Sequence, residues 1–200
     1  KTNPGNGAIE QPVSLTLSWG TSAGAISYEY CYDTSNDNSC NAWVNTGSAT
    51  DVSLEFLSFG TTYYWHVRAV NSTGLIYSNG SSTAFWSFTT GSPPENFNKI
   101  SPGDGAFNQP VSLTLSWDAS LGATSYEYCY DTSDNHECDG GWIGTGMNTN
   151  AAISGLSDIT MYYWQVRALN DFGSMYANSE NWWSFTTIPL QQLYLPMIVR

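Results

Sequence analysis

The sequence predicts an all-β fold: two tandem antiparallel seven-stranded β-sandwiches. Three observations predict it. The chain repeats itself once along its length, its apolar residues alternate with period two, and each repeat carries one cysteine pair at the same spacing.

The repeat comes first because it sets the domain count. Residues 11–19, Gln-Pro-Val-Ser-Leu-Thr-Leu-Ser-Trp, recur letter for letter as residues 109–117, and Ser-Tyr-Glu-Tyr-Cys-Tyr-Asp-Thr-Ser at 27–35 recurs at 125–133. Gly140 and Gly141 then shift the register by one residue, so that Tyr63, Tyr64 and Trp65 align with Tyr162, Tyr163 and Trp164. Before the last strand it moves back by two, aligning residues 85–88 with 182–185. Small insertions between strong strand patterns are what surface loops tolerate. The 200 residues therefore divide into a first domain at 1–91, a linker at 92–98 containing Pro93 and Pro94, a second domain at 99–188 and an apolar tail at 189–200. Two prolines fix φ, so the joint is expected to be semi-rigid.

Alternation supplies the strands. Leu15, Leu17 and Trp19 share one face of the first long strand, and Tyr28, Tyr30 and Tyr32 share one face of the next, with Glu29, Cys31 and Asp33 opposite. Val52 and Leu54 belong to a third strand. Tyr63, Trp65, Val67 and Ala69 line a fourth, with Tyr64, His66 and Arg68 outward, and Trp86 and Phe88 share a face of the last. No segment of either repeat has a helical period, and Gly, Asn, Ser and Pro separate the strands.

With these residues placed, the chain resembles the fibronectin type III family, an immunoglobulin-like architecture. Trp19 and Trp117 end their strands, and Leu57 and Leu156 stand six residues before Tyr63 and Tyr162, a pattern similar to that family's tyrosine corner. The Tyr-Glu-Tyr-Cys-Tyr-Asp-Thr string and the closing Trp-Ser-Phe-Thr-Thr look like repeats in large secreted proteins of filamentous bacteria. The end of the chain, Leu193 to Arg200, is similar to short tails on secreted proteins of the same bacteria.

Cys31 with Cys40, and Cys129 with Cys138, read as one intradomain disulfide per repeat, which places the chain in an oxidising, extracellular or cell-surface setting. The rival reading, a metal site, has only two thiols per repeat and no histidine near the first pair. No metal and no cofactor are expected. Oxygen-rich loops at 33–37 and 131–134 lack the spacing of a calcium-hand loop and are explained by turn chemistry.

Five Lys and Arg against seventeen Asp and Glu give a formal charge of −12, which repels a phosphate backbone and argues against nucleic acid or an anionic membrane as partner. The first residues have no apolar core and the apolar stretch at 193–199 is too short to span a bilayer, so a mature product or excised fragment without membrane insertion is expected.

Nothing in the sequence gathers catalytic groups, so no enzyme and no catalytic residue are expected. His66 and His136 occupy non-equivalent positions, filled in the other copy by Gln165 and Asn38, and are read as surface residues. Glu29 with Arg68, and Glu127 with Arg167, read as cross-strand ion pairs. Asn71 and Asn79 begin glycosylation triplets in loops.

Two features are left for binding. Tyr64 and Phe85, matched by Tyr163 and Trp182, are expected on one outer sheet face beside Trp43 and Trp142, where rings stack on sugars, bury against another subunit or form a small satellite core. The tail offers Leu193, Tyr194, Leu195, Met197, Ile198 and Val199 as an apolar strand for a neighbouring subunit, its own sandwich or a sorting machine. The leading expectation is a non-enzymatic extracellular structural or adhesive protein, a stiff tandem-domain spacer assembling into filaments through its tail. Its partners would be copies of itself or other cell-surface proteins. The alternative is a carbohydrate-binding accessory region of a secreted hydrolase, with polysaccharide as ligand.

Overall fold

The structure is a computed structural model and describes residues 1–189. It divides into two compact units, residues 1–92 and 93 onward. Among the described residues both units are two-sheet sandwiches without an α-helix, as the alternation predicted.

In the first unit, β1 (Ala8–Gln11), β3 (Ser27–Asp33), β4 (Val44–Gly47), β6 (Thr62–Asn71) and β8 (Trp86–Thr90) form the larger sheet in the order β1-β8-β6-β3-β4. β2 (Leu15–Ser18) and β5 (Asp51–Leu54) form the smaller one. An additional strand, β7 (Gly74–Tyr77), doubles back on the far half of β6. The chain enters along the smaller sheet through an Asn3–Ser18 bridge and crosses to pair β1 in parallel with β8.

The second unit repeats this arrangement. β10 (Ala106–Gln109), β17 (Trp183–Thr187), β15 (Met161–Asn170), β12 (Ser125–Asp131) and β13 (Ile143–Gly146) form the larger sheet, with β16 (Gly173–Tyr176) on β15. β14 (Asn150–Ser154), β11 (Ser112–Trp117) and β9 (Lys99–Ser101) form the smaller. Of the segment read as a linker, residues 93–98 belong to this unit: the Glu95 amide donates to Leu121 O, Ser120 Oγ donates to Glu95 O, and Pro94 and Phe97 are buried.

Each unit has its own core. Leu17, Trp19, Tyr28, Tyr30, Trp65, Val67 and Phe88 fill the first, and Leu115, Trp117, Tyr126, Tyr128, Trp164, Val166 and Phe185 the second. The alternating residues are therefore inside, and at roughly 1.5–3 kcal/mol for each large apolar side chain they supply the driving force. Both tyrosine corners are formed: Tyr63 Oη accepts from the Ser58 amide and Tyr162 Oη from the Ser157 amide, each at 2.9 Å. Two strands per unit escape the alternation. β4 and β13 are largely exposed, and β7 presents Leu75 and Ile76 to solvent, so neither pattern marks a buried face.

The turn before each tyrosine corner uses two left-handed residues, and each copy has glycine at only one of them. Phe56 (φ 59°) corresponds to Gly155, and Ile159 (φ 47°) corresponds to Gly60. A left-handed conformation costs an L-residue roughly 1–2 kcal/mol, and a β-branched side chain tolerates it least. Ile159 is 69% exposed, so truncating it forfeits little burial. Ile159→Gly is therefore expected to stabilise the second unit by about 1 kcal/mol in chemical denaturation, and a loss of stability would show that the side chain packs usefully.

Candidate functional site

The outer face of the larger sheet carries the polar and aromatic residues of both copies. β3 and β6 pair so that Glu29 lies directly opposite Arg68, and β12 and β15 place Glu127 opposite Arg167. Arg68 Nη2 and Nε reach Glu29 Oε2 at 2.6 and 2.7 Å, and Arg167 reaches Glu127 at 2.6 and 2.8 Å. The expected ion pairs are formed, but not on a wet face. Trp43 roofs the Arg68 guanidinium at 4.1 Å from the ring centroid, and Trp142 roofs Arg167 at 4.3 Å. A guanidinium bound through two nitrogens and stacked on a ring is positioned for structure, which fits a support for the aromatic layer above it.

His66 is not the surface residue the sequence suggested: it is fully buried. The Val67 amide donates to Nδ1 at 2.9 Å and can only donate, so Nδ1 accepts and Nε2–H donates to Ser81 O at 2.8 Å. Burial pushes its pKa down to about 4 against a gain from the Ser81 carbonyl, with the Lys1 ammonium and the amino terminus lowering it further. Gln165 fills the same place with the same polarity. Its Oε1 accepts from the Val166 amide at 2.9 Å and its Nε2 donates to Asn181 O at 3.1 Å. The interchange of His and Gln, which looked like indifference, is an exchange of two side chains with one hydrogen-bonding pattern.

Sequence reasoning also missed a repeated lysine. Lys1 and Lys99 head the two copies, each followed three residues later by Pro-Gly. Lys99 is 3% exposed, and its Nζ donates to Trp164 O, Gln165 Oε1 and Asn181 O at 3.3, 3.0 and 2.6 Å. It sits 5.4 Å from the centroids of Trp164 and Trp183, and Lys1 takes the same place near Trp65 and Trp86. Burial pulls Lys99 down to about 7 and Lys1 to about 8. Carrying the internal alignment back to Lys1 was the signal that could have found this pair.

Both disulfides are present, Cys31–Cys40 and Cys129–Cys138, with Cα separations of 6.0 and 5.8 Å. Asp33 and Asp131 cap the start of each disulfide loop by accepting from the Ser35 and Ser133 amides at 2.9 Å, so these oxygen-rich segments are Asx turns. Among the described residues no three His, Cys, Asp or Glu are grouped to hold a metal ion.

The six outer rings, Trp43, Tyr64, Phe85, Trp142, Tyr163 and Trp182, are all half-buried. In the first unit Phe85 packs edge-on against His66 at 4.8 Å, while Trp43 and Tyr77 lie 6.1 and 5.7 Å from the same ring. These four rings form a satellite cluster above the ion pair. Tyr64 is not among their ring contacts, and Tyr163 instead turns its hydroxyl to Met161 Sδ at 3.2 Å.

The second unit is built differently at this place. The chain from Tyr176 to Trp183 is two residues shorter than that from Tyr77 to Trp86. Trp182 lies against His136 of the disulfide loop at 6.3 Å, nearly parallel. Both residues line a cleft of about 510 Å³, together with Glu137, Cys138, Trp142, Tyr176 and Glu180.

Leu193, Tyr194, Leu195, Met197, Ile198 and Val199 lie outside the described residues. No helix among the described residues is long and apolar enough to cross a membrane.

No family model matches the chain, and no curated protein matches it. Among solved structures it is similar to the FN1–FN3 domains of chicken CNTN1, at 15% identity over 92% of this chain, with a TM-score of 0.43. The match spans 66% of that chain. The fibronectin type III-like architecture stands on this chain's own strand order and its two tyrosine corners.

Proposed function

We propose that the chain is a non-enzymatic structural or adhesive segment of an extracellular or cell-surface protein, working as a tandem-domain spacer and assembling through its apolar tail. The observation that carries this reading is the duplication of one complete unit, each copy with its own core, tyrosine corner and disulfide. A disulfide in each copy suits an oxidising compartment. On the outer sheet faces, Glu29 and Glu127 hold arginines, and His66 and Lys99 are buried, so these four groups serve packing, which supports a structural role. The resemblance to repeats of large secreted proteins of filamentous bacteria points the same way.

Self-association tests the assembly step. The full chain is expected to sediment as concentration-dependent oligomers, and a chain ending at residue 189 as a monomer. A full chain that stays monomeric over the whole concentration range overturns assembly through the tail. Binding of polysaccharide to the half-exposed rings is the competing reading, and retention on immobilised polysaccharide, lost when Trp142 and Trp182 are changed to Ala, would favour it.

A further inference from the structure

The cleft of the second unit has the chemistry of a cation site, and nothing in the spacer function requires it. Trp142, Tyr176 and Trp182 give it aromatic walls, and the Trp142 and Tyr176 rings meet edge to face at 5.8 Å. Glu137 and Glu180 stand at its lining, and neither side chain has a hydrogen-bond or ion-pair partner among the described residues. Asp134 lies 3.6 Å from Nε2 of His136, a residue of the lining. Arg167, stacked on the Trp142 wall, is already bound through two nitrogens to Glu127.

The first unit shows what the same place looks like when it is filled. There Phe85 packs on His66, and the residues matching Glu137 and Glu180 are Ser39 and Ser81. In the second unit the shortened loop draws three successive residues, Asn178, Ser179 and Glu180, into left-handed conformations (φ 54°, 53° and 69°). Single left-handed residues are common in turns, but three in a row without glycine carry a conformational cost. That cost is borne where Glu180 meets the cleft.

We propose that this cleft binds an organic cation, an ammonium or guanidinium group, between Trp142, Tyr176 and Trp182 with Glu137 and Glu180 as its counter-charges. Ring faces attract a desolvated cation through their quadrupole, and two unpaired carboxylates raise its local concentration. A neutral ligand of the same shape gains only the apolar contact.

The test is a titration of the full chain, followed through the indole N–H resonances of Trp142 and Trp182. Choline is compared with its neutral isostere 3,3-dimethylbutan-1-ol, and both with short lysine and arginine peptides and a neutral oligosaccharide. Choline or the basic peptides should saturate with Kd on the order of 1–10 mM, and the neutral isostere about tenfold more weakly. Tighter binding by choline marks a free ammonium as the ligand, and tighter binding by the peptides marks a protein side chain. The pair of substitutions Glu137→Gln and Glu180→Gln, both at exposed positions, should weaken binding about tenfold, and Phe85→Ala in the first unit should not change it. Equal affinity for the neutral isostere, no saturable shift with any cation, or a stronger response to the oligosaccharide overturns the proposal. Assembly through the tail is read by sedimentation and fails or stands separately.

Discussion

Between pH 7 and pH 4 the first unit is expected to lose about 3 kcal/mol of stability that His66→Gln restores, with no equivalent loss in the second unit. His66 has a folded pKa of about 4, below its unfolded value near 6.5. The folded state therefore refuses a proton that the unfolded state accepts once the pH falls below 6.5. The stability is fully present above that value, declines through the window, and is gone near pH 4. The refusal has a structural cause. Protonating Nδ1 would set a new N–H against the Val67 amide and close to the Lys1 ammonium, inside a fully buried site.

Gln165 makes the same bonds without a titrating group, so His66→Gln borrows a solution the molecule already contains. Denaturant titrations at pH 7, 5.5 and 4 on wild type and variant, with each unit followed by its own resonances, measure the difference. Carboxylate protonation affects both proteins alike and cancels. Equal pH sensitivity in the two would mean that His66 is charged or exposed in solution.

His66 also shows where the sequence was legible and where it was not. Period-two alternation marks which residues face a core, and it located Leu17, Trp65, Phe88 and their counterparts correctly, because a side chain facing the opposite sheet has no alternative environment. It placed Tyr64, His66 and Arg68 outward, which is also correct. It could not tell that the outward face of the sheet has a second layer. That layer is built by residues from irregular segments, Trp43 from the stretch between Cys40 and β4 and Phe85 from the end of another loop, and irregular chain has no period to read. The cross-strand pairing of Glu29 with Arg68 was legible since both lie on regular strands. The roof over them was not. Nor was β7, whose Leu75 and Ile76 are exposed and announce no burial. The cleft of the second unit was hidden for a related reason, since it arises from two residues missing in a loop. A deletion leaves no motif.

Removal of the second disulfide, by Cys129→Ala with Cys138→Ala, is expected to cost the second unit about 2–3 kcal/mol, from the loop-closure entropy of so short a ring. For a unit of this size that corresponds to a fall in Tm on the order of 10–20 °C. Cys129 is 2% exposed and lies opposite Gln165, so alanine leaves no unsatisfied polar atom there, which makes the crosslink the main term removed. Differential scanning calorimetry of the full chain should show one transition moving and the transition of the first unit staying in place. The same variant bears on the cleft. His136 and Glu137 are carried by the ten-residue loop that this disulfide closes, while Trp142, Tyr176 and Trp182 are not. Cation binding should therefore weaken in the folded variant even well below its melting temperature, whereas the Glu127–Arg167 pair, fixed by β12 and β15, should persist. A melting shift under about 2 °C would show that the loop is ordered by its Asx turn and ring contacts alone, and that the crosslink adds little to the unit it closes.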